Sequence, residues 1–394
     1  MVFLQKVLQM GLVPLFLTNK PERYRGLEAI VCPILVCNTN DLDALLRVIE
    51  RGVDIAQVCG VTTTSEFYLE AVARIVATYG FPGNPPEAVR RCRNKALTRE
   101  VLQASGVRQP RFVTVQALEE MAEKLPWVGV PCIVKPADDT GSDKVLLCQD
   151  EAEAMRQARL ILDTVINVRG QPTDRTALLE AFLDGPEYSV ETFSLDGTVH
   201  CIGVTEKRVT GFPFFVEEQH IFPAPLPAEV REEMVATART ALTALGLRSG
   251  PAHTEVKLTR EGCIPVEVNA RLAGGMIPEL MRLVTNVDML EAQLQAATGR
   301  TPRLPDGQQH GYAGIRFLLA RKEGRLRAIE GLAEARAVEH VRTITLTARV
   351  GDRVLPPRSA YERLGYVIAH APTAEAVARA LDAALERLIL VIDE

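Results

Sequence analysis

Common metal-binding and redox motifs are missing from this sequence. Its eight cysteines include no C-x-x-C pair, and its six histidines form neither an H-x-x-x-H nor an H-E-x-x-H spacing. Most of the cysteines lie in apolar runs, as Cys132 does, which favours buried, reduced thiols over disulfides. Reduced thiols are typical of a reducing compartment, so we expect a cytoplasmic protein.

Long apolar runs and an excess of positive charge are also missing. No stretch of about 18 apolar residues occurs, so we expect no membrane-spanning helix. The apolar N-terminus has no small-residue cleavage site and is interrupted by Gln5, Gln9 and Pro14, which argues against a signal peptide. With 45 basic and 50 acidic residues the formal net charge is −5, so we expect no nucleic-acid partner.

The remaining composition is that of an ordinary globular protein. The chain is 47% hydrophobic and 24% charged, which excludes a disordered or collagen-like chain and a small secreted scaffold. At about 150 residues per domain, 394 residues predict roughly two or three domains. A chain of this length buries enough surface to fold without disulfides or structural metals.

The order of the predicted helices and strands divides the chain into three parts. Residues 1–94 alternate strands and helices, which is typical of a parallel sheet covered by helices. Residues 95–300 are dominated by antiparallel strands, and residues 301–394 end in an amphipathic helix opened by Thr373. The expected fold class is therefore α/β, with an α+β central part.

The first part is predicted to contain strands 13–17, 29–37 and 53–58 and helices 42–52 and 66–79. The central part is predicted to contain strands 132–137, 144–148, 177–183, 187–194, 199–205, 252–259 and 263–269 and helices 151–162 and 228–245. The last part is predicted to contain strands near 311–319 and 343–350.

An acidic hairpin in the central part is the most informative pattern. Apolar and polar residues alternate in 252–259 and again in 263–269, which is the period of a half-buried strand. A three-residue loop centred on Glu261 joins the two strands into a hairpin. With that loop, Glu255 faces Glu267 directly across the hairpin.

Two facing carboxylates repel each other, and a divalent cation between them removes the repulsion. Asn269 points the same way as Glu267 and adds a neutral oxygen, so the set suits Mg²⁺. Arg271 follows on the same face, where it could hold an anion. The alternative interpretation is a solvated polar face in which Lys257 is the partner of the carboxylates.

Two further segments carry isolated polar side chains in apolar surroundings. Lys135 lies in an apolar strand and precedes a small, polar loop at 138–145, which suits phosphate binding but also fits a common hairpin turn. The loop is not a Walker A motif, and no G-x-G-x-x-G occurs. Glu180 ends an apolar run, where a lone carboxylate needs a partner, and a Gly-Pro turn leads from it to Glu187.

The order and spacing of these residues resemble the ATP-grasp superfamily, and within it the carboxylate–amine ligases that include the L-amino-acid (dipeptide) ligases. The resemblance covers nearly the whole chain and is most specific at the E-x-N-x-R-x-x-G-G motif that starts at Glu267. It implies a Rossmann-like pre-ATP-grasp domain at 1–94, an ATP-grasp domain at 95–300 with a mobile lid at about 112–183, and a C-terminal α+β domain at 301–394.

The resemblance also implies roles for matching residues. It implies ATP contacts for Lys95, Lys135, Ser142, Lys144, Glu180, Phe182, Leu183 and Glu187, with Glu180 at the adenine amino group and Glu187 at the ribose. It implies that Mg²⁺, with Mn²⁺ as an alternative ion, is held by Glu255, Glu267 and Asn269. It implies that Arg271 stabilises the transferred phosphoryl group and that Glu217, His220, Gly274 and Gly275 lie near the substrates. A surface carboxylate, a loop histidine and plain turn glycines are the alternatives for those last four residues.

Three departures from the family pattern stand out. Met1 begins at a predicted helix, so the first strand of the pre-ATP-grasp domain looks absent. Lys144 replaces the glycine of the S-x-G-V loop pattern, which implies a loop that grips phosphate with a side chain or moves less. Gln219 replaces the glycine of the E-x-G-H substrate motif, which leaves the substrate class open.

The function expected from the resemblance is ATP-dependent ligation of a carboxylate to an amine through an acyl-phosphate, with release of ADP and phosphate. An amino acid is the expected carboxylate, and both partners would be small molecules. The alternatives are a ligase or carboxylase for another carboxylate, and a nucleotide-binding regulatory protein without turnover. Homodimers are common among similar enzymes, although no feature of this sequence indicates one.

Overall fold

The N-terminal part of the computed structural model, which describes residues 2–24 and 26–393 of the chain, is mainly helical. Its strands β1 and β2 pair in parallel, with Phe16 opposite Ile34. The expected absence of the first strand of this part concerns the chain at Met1, which lies outside the described residues. Its elements are α1 (Val2–Gln9), β1 (Phe16–Thr18), β2 (Ile34–Val36), α2 (Leu42–Gly52), α3 (Leu69–Tyr79) and α4 (Pro86–Arg93).

One strand predicted for this part is wrong. Within 53–58 the chain forms a 3₁₀ turn at Ile55–Gln57. The turn is favoured because the side chain of Asp54 accepts a hydrogen bond from Ala56 N at 3.2 Å, which an extended strand would not allow. The apolar residues of this segment are only partly buried around that turn.

The central part contains two antiparallel sheets. Strands β3, β6, β4 and β5 form a four-stranded sheet in that order, and β7 to β11 belong to a larger sheet. The elements are α5 (Lys95–Ala104), β3 (Phe112–Val115), α6 (Met121–Val128), β4 (Cys132–Pro136), β5 (Leu146–Cys148), α7 (Glu151–Asp163), β6 (Ala177–Ala181), β7 (Glu187–Leu195), β8 (Thr198–Thr210), β9 (Val216–Phe222), α8 (Ala228–Leu245), β10 (Gly250–Thr259), β11 (Gly262–Asn269), α9 (Ile277–Thr285) and α10 (Met289–Ala297).

The last part of the chain completes the large sheet, whose order is β11-β10-β7-β8-β9-β12-β16-β14. This sheet therefore runs across residue 300, where we predict a domain boundary. A separate three-stranded sheet has the order β15-β13-β17. The elements are β12 (Tyr312–Leu318), β13 (Gly324–Glu330), α11 (Leu332–Arg336), β14 (Val341–Leu346), β15 (Arg353–Val354), β16 (Gly365–Ala371), α12 (Ala374–Arg387) and β17 (Ile389–Asp393).

Apolar clusters hold these layers together. Helix α9 packs against the large sheet through Leu280, which contacts a cluster that includes Phe222 and Ile315. Helix α12 packs through Leu381 against the strands of the last part. Within residues 2–24 and 26–393, no helix has both the length and the apolar character that crossing a membrane requires.

Five of the eight cysteines are buried, as expected: Cys37, Cys92, Cys132, Cys148 and Cys263. The expectation is wrong for Cys59 and Cys201, which are exposed. Cys201 lies on β8 at the start of the register shift that follows Glu191 on β7, where the side-chain alternation is interrupted.

Candidate active site

A cleft of about 880 Å³ separates the four-stranded sheet from the large sheet. Most of the residues expected at the site line this cleft: Lys95, Lys135, Ser142, Glu180, Phe182, Leu183, Glu187, Glu217, Glu255 and Glu267. The other expected residues lie outside its lining: Lys144, His220, Asn269, Arg271, Gly274 and Gly275. The structure therefore brings together ten residues that are far apart in the sequence.

Lys95 is placed at the cleft by the start of helix α5. The side chain of Asn94 caps this helix by accepting hydrogen bonds from Ala96 N and Leu97 N. Lys95 Nζ then donates to the carbonyl of Asp139 at 2.6 Å, which ties the helix to the 138–145 loop. Lys95 is buried, and its ammonium points into the cleft as a positive charge available to an anion.

Glu180 and Lys135 form a buried ion pair on the opposite wall. Lys135 Nζ lies 2.8 Å from Glu180 Oε2, and Arg99 Nε lies 2.5 Å from Glu180 Oε1. Burial alone would raise the pKa of Glu180, but the charges of Arg99 and Lys135 lower it to about 2. Burial lowers the pKa of Lys135, although Glu180 opposes that shift. Glu180 therefore stays ionised and fixes both cations.

The 138–145 loop has an unusual backbone. Ser142 and Lys144 have φ values of 59° and 55°, in the left-handed region that residues other than glycine rarely adopt. Lys144 Nζ pairs with Asp143 and lies 3.5 Å from Asp139 Oδ2, so it is held within its own loop. The Lys144 side chain is therefore fixed against the loop.

The acidic hairpin has the expected pairing at its functional end. Glu255 is opposite Glu267, and His253 is opposite Asn269. The expected loop is wrong, because the hairpin closes through two residues and pairs Thr259 with Gly262. A bulge beside Glu255 inserts one extra residue into β11, and that extra residue restores the expected register.

The bulge is stabilised by Arg99, whose Nη1 and Nη2 donate to the carbonyls of Pro265 and Val266, each at 2.9 Å. The same guanidinium also holds Glu180. Arg99 is 2% exposed, so it links the two walls of the cleft from beneath.

The donor chemistry at the hairpin fits a divalent cation. The protein contacts of Glu255 fall on Oε1, from Lys207 Nζ at 2.7 Å and His253 Nε2 at 3.2 Å. Lys95 Nζ lies 3.5 Å from Glu267 Oε1, and Asn269 is buried beside this pair. The described residues contain no group of three or more His, Cys, Asp or Glu side chains arranged to hold a metal. Two carboxylates and an amide suit Mg²⁺, which usually takes its remaining ligands from water and phosphate.

His253 is held between two carboxylates. Its Nδ1 lies 3.0 Å from both oxygens of Glu191, while its Nε2 faces Glu255. Burial opposes the imidazolium form, but Glu191 and Glu255 outweigh it and raise the pKa of His253 to about 9. Ser189 and Thr205 also donate to Glu191, so this buried carboxylate is fully engaged.

A second bulge brings Glu217 and His220 to one face of β9. Residues three apart in a regular strand point to opposite faces. Here the register shifts between Arg208 and Val209 of β8, which leaves Glu218 as the extra residue on β9. Glu217 Oε2 consequently lies 3.7 Å from His220 Nε2.

Glu217 is bound by two cations. Lys207 Nζ lies 2.8 Å from Oε1, and Arg363 Nη2 lies 2.7 Å from Oε2. Burial would raise the pKa of Glu217, but Lys207, His220 and Arg363 hold it well below its ordinary value. The Arg363 guanidinium also stacks on the Phe317 ring, 3.7 Å from its centroid. The last part of the chain therefore contributes directly to the expected substrate region.

His220 is buried without hydrogen-bond partners for either ring nitrogen among the described residues. Burial lowers its pKa to about 4, so the ring is neutral near pH 7. It packs edge-on against Phe317 and beside Gly275, where a side chain would come within 2.7 Å of Nε2. A buried polar ring without partners is uncommon and suits contact with a ligand.

Arg271 pairs with Glu66, from the N-terminal part, and its Nη1 donates to the carbonyl of Leu272 at 2.9 Å. Burial lowers the pKa of Arg271, but Glu66, Glu267 and Glu255 together outweigh burial and raise it. Gly274, three residues later, has no heavy atom within 4 Å of the position that a side chain would take. Gly274 is exposed, so this backbone position is open to solvent.

Sequence reasoning missed four charged residues of this site: Glu66, Arg99, Lys207 and Arg363. Lys207 is directly opposite Glu187 in the sheet, and the alternation of β8 could have revealed it. The predicted strand ended at Thr205, two residues before Lys207, whereas β8 continues to Thr210. The other three act through partners distant in sequence, and no local pattern marks them.

The family comparisons agree with this architecture. Residues 128–279 match the family described as ATP-grasp domain, and residues 316–393 match L-amino acid ligase C-terminal domain 2. The crystal structure of L-amino acid ligase from Bacillus licheniformis aligns with a TM-score of 0.86 and 25% identity, covering 100% of this chain and 96% of that one.

Two bacterial proteins are similar to this chain in sequence. The uncharacterised protein y4rH of Sinorhizobium fredii is 32% identical over 386 residues, which cover 98% of this chain and 79% of that protein. The alanine–anticapsin ligase of Bacillus subtilis is 30% identical over 284 residues. That match covers 66% of this chain and 59% of the ligase, so the chain spans less than two thirds of that relative.

Proposed function

The chain belongs to the ATP-grasp superfamily and carries the C-terminal domain of L-amino acid ligases, and from this premise we propose that it joins an amino-acid carboxylate to an amine. The reaction class is ADP-forming carbon–nitrogen ligation. The proposed intermediate is an acyl-phosphate, and the products are an amide or peptide, ADP and phosphate.

One observation carries the proposal. Glu255 faces Glu267 across the hairpin, on the floor of the cleft that Lys95 and Lys135 line. A pair of carboxylates beside two lysines is suited to a nucleotide triphosphate with a divalent cation, since each negative group has a positive neighbour. This alternation of signs supports phosphoryl transfer in the cleft.

The proposed first step is transfer of the γ-phosphoryl group to the carboxylate. Mg²⁺, held by Glu255, Glu267 and Asn269, would supply charge neutralisation between the phosphates. Lys95 and Lys135 would bind the phosphates and reduce their repulsion of the incoming carboxylate. Arg271 would stabilise the negative charge on the transferred group. Glu187 would accept hydrogen bonds from the ribose, and Glu180 from the adenine amino group.

The second step is attack of the amine on the acyl-phosphate. It needs no protein nucleophile, because the phosphate is already a good leaving group. Glu217 and His220 would orient the amino acid, and Gly274 and Gly275 would let the backbone approach its carboxylate. Phe182 and Leu183 would contact the adenine through their backbone groups beside Glu180. The loop with Ser142 and Lys144 would cover the phosphates and exclude water, which would otherwise hydrolyse the intermediate.

The direct test is an ADP-release screen over pairs of amino acids and amines in the presence of Mg²⁺. The proposal predicts that at least one pair releases ADP and phosphate in equal amounts and forms an amide detectable by mass spectrometry. AMP in place of ADP would contradict the acyl-phosphate route. Nucleotide binding without turnover for every pair would favour a regulatory role, and turnover only with carboxylates that lack an amino group would favour another ligase class.

A further inference from the structure

Lys207 lies at the junction of three regions to which separate roles are proposed. Its ammonium is 2.9 Å from Glu187 Oε1, 2.8 Å from Glu217 Oε1 and 2.7 Å from Glu255 Oε1. These carboxylates belong to the proposed ribose, substrate and metal sites respectively. The Lys207 side chain is 1% exposed, so no water competes for it at the surface.

The geometry uses the full capacity of the ammonium group. A lysine ammonium has three N–H donors and no acceptor. Lys207 directs one donor to each of three strands: β7 through Glu187, β9 through Glu217 and β10 through Glu255. Each contact falls on one oxygen of its carboxylate, and the second oxygen points elsewhere. The second oxygen of Glu217 is the one that Arg363 binds.

Lys207 lies beside Glu255, one of the carboxylates proposed to bind the metal, and supplies a positive charge there. Lys207 and His253 both contact Oε1 of Glu255. Lys95 approaches Glu267 in the same way, at 3.5 Å from Oε1. Each of the two carboxylates that face each other across the hairpin thus already has a cationic side chain of the protein beside it. A bare divalent cation entering here would gain little and would be repelled by cations already present.

The nucleotide changes this balance. Its phosphates would bring negative charge to Lys95 and next to the hairpin, which offsets the repulsion between Lys207 and an entering cation. The cation would then be held jointly by phosphate oxygens and by the free oxygens of Glu255 and Glu267.

We propose that Lys207 is an internal counter-ion that neutralises Glu255 in the absence of ligand, so that the divalent cation binds together with the nucleotide and not before it. This inference rests on the proposed function for the identity of the metal site. It makes Lys207 a positioning residue, since it acts through Glu255, Glu187 and Glu217 and need not touch the reacting atoms.

This role predicts a gain on removal of the lysine. A purely structural lysine would, when replaced, leave metal binding unchanged or weaker. A counter-ion would, when replaced, leave Glu255 free for another cation, so the affinity for metal alone would rise. Lys207→Gln removes the charge but keeps N–H donors, whereas Lys207→Arg keeps the charge. Lys322→Gln, at an exposed lysine, is the matched control.

The experiment is a titration of the full chain with Mn²⁺ in the absence of nucleotide, with free Mn²⁺ measured by electron paramagnetic resonance. We expect Lys207→Gln to bind Mn²⁺ about tenfold more tightly than the wild type, because one neighbouring cation is gone. Lys207→Arg and Lys322→Gln should match the wild type. With ADP present, the difference in Mn²⁺ affinity between the wild type and Lys207→Gln should become smaller.

Equal Mn²⁺ affinity of the wild type and Lys207→Gln, in folded proteins of similar melting temperature, would overturn the proposal. Tight binding of Mn²⁺ to the wild type in the absence of nucleotide would overturn the proposal as well. If Lys207→Gln does not fold, Lys207→Gln/Glu187→Gln, which has one fewer mutually repelling carboxylate, is compared with Glu187→Gln alone, over which it should show the same gain. The titration involves no turnover, so its failure is distinguishable from failure of the ligase activity.

Discussion

Glu66 and Arg271 form an ion pair that joins the N-terminal part of the chain to the end of the central hairpin. Glu66 is 6% exposed, and burial would raise its pKa, but Arg271, Arg93 and Lys95 outweigh burial and lower it. The carboxylate therefore stays ionised and fixes the direction of the Arg271 guanidinium.

Glu66→Gln should slow ADP release by about tenfold to a hundredfold, because Arg271, which we propose stabilises the transferred phosphoryl group, loses the charge that orients it. Affinity for ADP should change little, since the proposed nucleotide contacts lie in the cleft. Steady-state ADP release at saturating ATP and fluorescence titration with ADP measure the two effects. Glu50→Gln, at an exposed carboxylate of α2, is the control. Equal rates for the two variants would show that the ion pair is dispensable.

Glu267→Ala should abolish ADP release, because it removes one of the two facing carboxylates of the hairpin and leaves Lys95 without its partner there. The variant should still fold, as Glu267 is only partly buried. Release of ADP measured over a range of Mg²⁺ concentrations tests this, with Glu261→Ala in the exposed hairpin turn as the control. Full activity of Glu267→Ala would refute the metal assignment.

How much of this could be predicted differs from strand to strand. The hairpin partners Glu255 and Glu267 were predictable because strand alternation is local, and a bulge compensated for the wrong loop length. Strand β9 was missed because its bulge at Glu218 interrupts the alternation that identifies a strand. The strand predicted at 53–58 was wrong because the side chain of Asp54 favours a turn over an extended backbone.

Charged partners were the least predictable part of the site. Arg271 and Glu66 are 205 residues apart, and Arg363 and Glu217 are 146 residues apart. Such pairs depend on how the sheet is assembled, which periodicity within one segment does not encode. The positions proposed to bind nucleotide were predicted from a family pattern, whereas the ion pairs that hold the charged side chains in place required the fold.

Arg363 should determine how firmly the side chain of Glu217, which we propose orients the amino acid, is held in place. Arg363→Ala removes a bond of 2.7 Å to Glu217 and the stacking on Phe317, so the KM for the amino acid should rise about tenfold while the KM for ATP stays unchanged. Arg363→Lys should recover part of the loss. Arg358→Ala, at an exposed arginine stacked on Phe214, is the control. An unchanged KM for every amino-acid substrate would contradict this role.

His220 should make the fold sensitive to acid. Its pKa falls to about 4 in the folded state from an ordinary value of 6.5, so the unfolded chain takes up this proton first. The free energy of unfolding therefore decreases as the pH falls from about 6.5 to about 4. His220→Gln should lose about 2 kcal/mol less than the wild type between about pH 7 and about pH 4.5. Urea unfolding at both values measures this, and the exposed His200→Gln should behave like the wild type.

Gly275 and Gly274 are adjacent glycines with different requirements. Gly275 has φ +57°, and a side chain there would come within 2.7 Å of His220 Nε2, whereas Gly274 faces open space. Gly275→Ala should lower the free energy of unfolding by about 1 to 3 kcal/mol, and Gly274→Ala by no more than about 0.5 kcal/mol.

Urea unfolding of both alanine variants measures the difference between these glycines. Because part of the Gly275 penalty is a collision with His220, the same substitution should cost less when His220 is replaced by alanine. A cost that is identical with and without His220 would mean that backbone conformation alone requires the glycine. The contact between Gly275 and His220 would then not be what shapes this side of the site.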